Sequence, residues 1–219
     1  AFDFQGVWQA VFNFATLDLS AFYFDVRKDA LYCDGDTLRR RAARTVLDLL
    51  FQRLTTWLAP ILVFTMEEVW LERNPGADAS VHMADFPATP ADWRNDALAA
   101  KWAGVRAARR AVTAALEVQR TDKVIGASLE AAPVVHVEDD ALRAALQSVA
   151  FEDLCITSDI AVTADTAPAE AFRLPEVAGV GVGFEKAAGD KCHRCWKVLP
   201  DVGTHSHAGV CGRCDDALS

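Results

Sequence analysis

Four cysteines near one end of the 219-residue chain fall in two matched pairs, Cys192-His193-Arg194-Cys195 and Cys211-Gly212-Arg213-Cys214, spaced C-x2-C-x15-C-x2-C. Two residues between cysteines let both thiolates of a tight turn point at one centre. Two such turns make a tetrahedral set of four sulfurs, which suits zinc. A site closed by four thiolates has no position for water, so the spacing predicts one structural Zn2+. A redox dithiol fits less well, because a thioredoxin-like motif is a single C-x-x-C in a βαβ setting. His193, His205 and His207 stand nearby, but the ligand set is complete without them, and they read as solvent-exposed or as facing a nucleic acid. The turns also carry Arg194, Lys197 and Arg213. A long cation on a rigid mount loses little freedom when it meets a phosphate, while ordinary solvated charge is the plain alternative. Trp196 either packs over the metal turn as a small core or stacks on an unpaired base, a contact worth about 1–3 kcal/mol.

Elements able to hold such turns must come from the rest of the chain. Its hydrophobic content of 52% is enough to bury a sizeable core and allows more than one domain. The formal net charge of −9 excludes a uniformly basic surface, so nucleic-acid binding would have to use local patches. Between Lys186 and Cys214 the balance reverses and cations outnumber acids. No apolar run reaches the roughly 18–20 residues needed to span a bilayer, and no basic-then-apolar leader opens the sequence. Cys33 and Cys155 stand alone in apolar contexts, which predicts a reducing cytosol where paired cysteines bind metal rather than each other. With no starting Met, the chain is expected to be an excised piece of something longer.

Apolar residues at Phe4, Val7, Trp8, Val11, Phe12, Ala15 and Leu19 have helical spacing, and 19–31 continues as an amphipathic helix. Asp34-Gly35-Asp36-Thr37 supplies a turn and an N-cap for a long helix striped by Leu38, Ala42, Val46, Leu49, Leu50, Leu54 and Leu58. Pro60 suits the first turn of another helix, running to about Trp70. Residues 75–92 read as a linker and 92–121 as a further long helix. Arg39-Arg40-Arg41 with Arg44 is the densest basic cluster, and Arg106, Arg109 and Arg110 form a second at helical spacing. Each is either a solvated face or a phosphate contact. Glu67-Glu68 reads as a polar helix face, because adjacent residues point to different sides. Strands are predicted within 128–137, at 154–157, at 160–163 and at 179–184, with a short helix over 139–149. Lys123 to Ala131 reads as a joint between helices and sheet.

Several of these stretches, in order, resemble the C-terminal third of isoleucyl-tRNA synthetase. Asp18-Leu19-Ser20-Ala21-Phe22-Tyr23-Phe24-Asp25 with Lys28-Asp29-Ala30-Leu31-Tyr32, and Trp57-Leu58-Ala59-Pro60-Ile61-Leu62 with Thr65-Met66-Glu67-Glu68-Val69-Trp70, are similar to the anticodon-binding helices of the isoleucine, valine and leucine enzymes. Asp122-Lys123-Val124-Ile125-Gly126-Ala127-Ser128-Leu129-Glu130-Ala131 and Lys191-Cys192-His193-Arg194-Cys195-Trp196 with Cys211-Gly212-Arg213-Cys214 look specific to the isoleucine enzyme. The resemblance covers nearly the whole chain. It implies a mainly α fold: an anticodon-binding helical bundle (1–122), a small α/β unit (123–185) and a four-cysteine zinc-binding module (186–219). It implies a monomer in the cytoplasm whose partners are isoleucine tRNA and the remainder of the synthetase chain, with no membrane. The His-Ile-Gly-His-like and Lys-Met-Ser-Lys-Ser motifs of catalysis are absent, as is an editing sequence, so the piece is expected to be inactive alone, with ATP and Mg2+ used by a catalytic body elsewhere. Expected tRNA contacts are Arg194, Trp196, Lys197, Arg213, Arg40, Arg41, Arg44 and Lys123. The other reading is a zinc-stabilised helical module for protein interaction or for bracing the synthetase body.

Overall fold

The computed structural model describes residues 2–76 and 78–219, and the fold is mainly α. The chain divides into two compact units, Ala1–Tyr32 with Asp36–Arg94, and Cys33–Gly35 with Asn95–Ser219.

The first unit opens on α1 (Phe4–Asn13), runs without a break through a π-helical stretch (Phe14–Phe24) and continues as α2 (Asp25–Cys33). Helical spacing is therefore legible from residue 4, but the widened hydrogen-bond pattern of the middle stretch is not. Leu19 is buried in that stretch, and Val26, Ala30 and Cys33 are buried in α2. Thr37 starts α3 (Leu38–Leu58), its Oγ1 accepting from the Arg40 N–H at 3.2 Å. Pro60 sits in a turn rather than in a helix, and α4 begins at Val63 (Val63–Arg73). α3 and α4 pack together, with Phe51 and Trp70 stacked at 6.0 Å and 12°. Residues 75–92, expected as a linker, carry a turn of tighter helix at Val81–Met83 whose Val81 is buried, and another begins at Ala91. Glu67 holds that turn, its Oε2 accepting from Ser80 Oγ at 3.0 Å and the Val81 N–H at 2.9 Å.

The second unit is organised by α5 (Asp96–Thr121). Asn95 caps it, its side-chain oxygen accepting from the Leu98 N–H at 2.8 Å. Val105, Ala108, Val112, Ala115 and Leu116 recur every three or four residues and are all buried. They face α6 (Asp140–Gln147), α7 (Phe151–Cys155) and β3 (Val180–Gly183). The sequence groups this helix with the bundle, whereas its buried face belongs to the sheet layer. The sheet has the order β2-β1-β3, with β1 (Val134–Val137) parallel to β2 (Ala161–Thr163) and antiparallel to β3. Val135 and Val137 point into the core and Val134 and His136 are half-buried, the alternation expected of a strand.

The strand expected at 154–157 is not formed. Phe151, Leu154 and Cys155 are spaced three and four apart, which puts all three on one face of the short helix α7, and all are buried. Ile156 then ends the helix in a left-handed conformation at φ 58°. Arg109 secures it from α5, its Nε donating to the Leu154 carbonyl at 2.6 Å. The strand expected over 128–137 is shorter than predicted, since Ser128–Glu130 forms a tight helical turn first.

Candidate metal centre

The two cysteine pairs are presented by two different local folds. β4 (Asp190–Lys191) pairs antiparallel with β5 (Val198–Leu199), and the turn between them carries Cys192 and Cys195. The Cys192 N–H donates to the Lys197 carbonyl at 2.8 Å, and the Trp196 N–H to the Cys192 carbonyl at 3.0 Å. Gly189, at φ 107°, precedes the hairpin where a Cβ would strike the Leu199 backbone at 2.3 Å, so no other residue fits. Cys211 is the residue before α8 (Gly212–Asp216), and Cys214 lies inside that helix. Gly209 closes the two folds together at φ 74°, with its carbonyl accepting from the His193 N–H at 2.9 Å.

All four cysteines are buried, and their Sγ atoms lie within 4.8 Å of one another. Cys195 and Cys211 Sγ are 3.8 Å apart. Sulfurs at about 2.3 Å from a tetrahedral zinc stand about 3.8 Å from each other, so the spacing fits the metal that the donor set suggests. The Cys211 N–H points at Cys192 Sγ, 3.4 Å away. Burial opposes ionisation of the Cys192 thiol, but backbone N–H groups of Cys195, Cys211 and Arg194 outweigh it and hold the thiol at about 6. Burial pushes the Cys195 and Cys211 thiols up.

Two of the three histidines are held by carboxylates. His205 Nε2 lies 3.0 Å from Asp201 Oδ2, which also accepts from the Gly212 N–H at 2.8 Å. Those bonds, the backbone one foremost, keep Asp201 below the usual carboxylate range. His207 meets Asp215 Oδ1 through both its backbone N–H and its Nδ1, each at 2.7 Å. His193 is exposed.

The cations on the turns do not stand free, as the sequence suggested they would. Lys197 Nζ pairs with Asp153 Oδ1 of α7 at 2.8 Å, with 13% and 11% of the two side chains exposed. Arg213 Nη1 pairs with Asp34 Oδ1 at 3.2 Å. Arg194 Nη1 donates to the Cys33 carbonyl and, at 3.7 Å, to Cys214 Sγ, and this contact with the sulfur raises its pKa. In the structure each of the three is engaged by a carboxylate, a carbonyl or a sulfur of the same chain. Cys33 and Asp34 were invisible as members of this centre. Their partners lie 161 and 179 residues away, beyond any local pattern.

Trp196 is different. It is 61% exposed, with Lys191 Nζ 5.7 Å above its ring, and so does not form the small core over the turn. Elsewhere Arg44 is exposed, Arg41 is exposed and paired with Asp36 at 3.0 Å, and Arg40 is half-buried. Lys123 is exposed in the left-handed turn that ends α5, at φ 58°. In the second arginine cluster Arg110 is exposed, Arg106 is half-buried, and Arg109 is committed to α7.

Among the described residues no helix is long and apolar enough to cross a membrane. Residues 1–136 match the family described as the anticodon-binding domain of tRNA ligase. Residues 189–217, which contain all four cysteines, match the zinc finger found in FPG and IleRS. The chain is 75% identical over 217 residues to an isoleucine–tRNA ligase of Ruegeria pomeroyi, covering 99% of this chain and 22% of that protein. It is 55% identical over 205 residues to the corresponding ligase of Agrobacterium fabrum, covering 93% and 21%. A ligase of the same name from Brucella abortus is 53% identical over 203 residues, covering 92% and 21%. The chain therefore spans about a fifth of the length of the curated relatives it matches.

Proposed function

The chain belongs to the anticodon-binding domain family of tRNA ligases, and on that footing we propose that it is the tRNA-holding region of an isoleucine–tRNA ligase. The supporting observation is the joint match of one chain, in order, to an anticodon-binding domain over 1–136 and a zinc finger over 189–217. In this reading Cys192, Cys195, Cys211 and Cys214 bind one structural Zn2+, which orders a module with little apolar core of its own. The region binds the anticodon stem and loop of isoleucine tRNA. Long cations neutralise the backbone, and an aromatic surface accepts unstacked bases, as single-stranded RNA loops permit. Trp196 is the stacking residue, and Arg41, Arg44 and Lys123 carry phosphate contacts, since each is exposed. Arg40, Arg194, Lys197 and Arg213 are further contact residues in this reading. ATP, Mg2+ and the aminoacylation step belong to a catalytic body outside this sequence, and the complete ligase acts as a cytoplasmic monomer.

The pairing of Lys197 with Asp153 and of Arg213 with Asp34 favours a second reading, in which the module braces the ligase body instead of touching RNA. A titration with isoleucine tRNA and with an anticodon-swapped tRNA, at two salt concentrations and with or without a zinc chelator, separates the two. The tRNA reading expects at least tenfold discrimination and a steep loss of affinity with salt. Equal binding of both RNAs, or none, returns the bracing reading.

A further inference from the structure

The segment Cys33–Gly35 is packed as part of the second unit, on the sulfur cluster. Cys33 is buried together with Cys192, Cys195, Val210, Cys211 and Cys214, and its Sγ lies 3.8 Å from the Arg194 carbonyl oxygen. Two arms join this segment to the metal turns. In one, Arg194 spans from the Cys33 carbonyl to the Cys214 sulfur. In the other, Arg213, between the ligands Cys211 and Cys214, reaches Asp34, whose side chain is only 3% exposed.

The electrostatics make both arms useful. Four thiolates around a divalent cation leave two formal negative charges in a buried site. Donors and cations that face the sulfurs lower the cost of that charge, and the groups that hold them in place matter nearly as much as the ligands. The planar guanidinium of Arg194 can serve a carbonyl and a sulfur at once, which an ammonium cannot do in fixed geometry. Asp34 would be costly to bury alone, and Arg213 is its charge partner, so each fixes the other.

We propose that Cys33 and Asp34 are positioning residues of the zinc site, clasping Arg194 and Arg213 against the ligand turns so that zinc and the segment Cys33–Gly35 are held or lost together. This rests on the zinc assignment and is independent of tRNA binding.

The test uses the zinc-loaded chain, with Asp34→Asn, Asp34→Glu and the exchanged pair Asp34→Arg with Arg213→Asp. Zinc transfer to a chromogenic chelator is timed. Maleimide labelling of Cys33 is located by peptide mass, and the thiolate-to-metal absorption of the Co2+-substituted protein is recorded. Asp34→Asn should lose zinc roughly 10–100-fold faster and shift the Co2+ spectrum. Asp34→Glu or the exchanged pair should recover part of the loss. Cys33 should be labelled in the parent chain only after chelation, and in Asp34→Asn while zinc is still bound. With one zinc per parent chain, an unchanged transfer rate in a folded Asp34→Asn overturns the clasp and leaves the zinc assignment standing. Parent protein lacking stoichiometric zinc removes both. If Asp34→Asn fails to fold, Cys33 labelling in the parent chain decides alone, and equal rates before and after zinc removal overturn the proposal.

Discussion

Between α5 and β3 the fully buried side chains include Leu116, Phe151, Leu146, Val105, Val112 and Val135, contributed by two helices, a strand and a long central helix. Between residues 190 and 217 the buried set is Cys192, Cys195, Val210, Cys211 and Cys214, held by a turn between strands of two residues and by the start of a helix of five. One region is closed by apolar area and the other by sulfur. The second cannot fold on hydrophobic burial, because Val210 with half-buried Leu199 and Val202 is far too little to offset the conformational entropy of ordering it. What fills the gap is the metal, and with it the polar braces of Arg194, Arg213 and Lys197. The difference teaches what cations do in a region without a core: Arg194, Arg213 and Lys197 supply contacts that a core would have made.

The sharpest way to break that contrast is to remove one ligand. Cys214→Ser should release zinc and melt residues 189–217, forfeiting on the order of the 10–16 kcal/mol that structural zinc sites contribute. The α5 layer should keep its far-ultraviolet signal and its amide protection. Loss of both together, by hydrogen exchange, would show that the sheet layer leans on the metal after all. The converse is Phe151→Ala. Phe151 is 2% exposed, so its truncation should cost about 3–5 kcal/mol by denaturant titration while the protein still carries one zinc below the midpoint.

Acid should separate the regions as well. Cys195 and Cys211 have thiols pushed up by burial, so the metal-free site holds at least two protons near neutrality, and zinc binding expels them. Affinity should therefore climb with pH, by about 100-fold per unit where two protons leave. Asp201 acts in the same direction. Its folded pKa is depressed, so its contribution is present above the unfolded value and is lost as pH falls through the folded one. Zinc competition titrations between pH 6 and 8 measure the slope, and a flat profile would mean that the thiols are already ionised without metal. At the join between the two kinds of packing, Lys197→Met removes one ion pair whose side chains are only 13% and 11% exposed. A loss of about 1–3 kcal/mol is expected, between the values for exposed and buried pairs. Thermal unfolding at two salt concentrations checks it, with less than 0.5 kcal/mol counting against the brace.

How far these features can be read without coordinates depends on the range of the forces involved. The cysteine spacing, the Thr37 cap and the helical character of α3 are local and legible, but the predicted stripe of α3 is not its buried face: Leu38 is 75% and Val46 39% exposed, while Ala43, Thr55 and Thr56 are buried. The α7 helix was missed because five residues rich in apolar groups satisfy a strand or a helix equally well, and the choice is made by the α5 face on which Phe151, Leu154 and Cys155 land. The 75–92 stretch looks like a linker by composition, but Glu67 ties down its backbone. The partners of Arg194 and Arg213 depend on contacts between segments more than 160 residues apart, and no periodicity reports those.

Trp196 offers the smallest effect on stability and the cleanest separation of binding from bracing. Its φ of 68° lies in the region that disfavours a side chain, at about 1–2 kcal/mol. Its exposed contact with Lys191 returns about 0.5–1 kcal/mol. Trp196→Gly removes both terms and adds about 0.5–1 kcal/mol of backbone entropy to be lost on folding. The three nearly cancel, so stability and zinc release should stay within about 0.5 kcal/mol of the parent, a balance that unfolding and chelator-transfer rates can measure. A base stacked on the indole would nevertheless be lost, lowering RNA affinity by about 1–3 kcal/mol, while Trp196→Phe should keep most of it. A residue that sits exposed and in a strained conformation has little structural reason to be an aromatic. If Trp196→Gly destabilised the module by more than about 1.5 kcal/mol, the indole would belong with the braces. If it left both stability and RNA affinity untouched, the exposed ring would have no part in either half of the comparison.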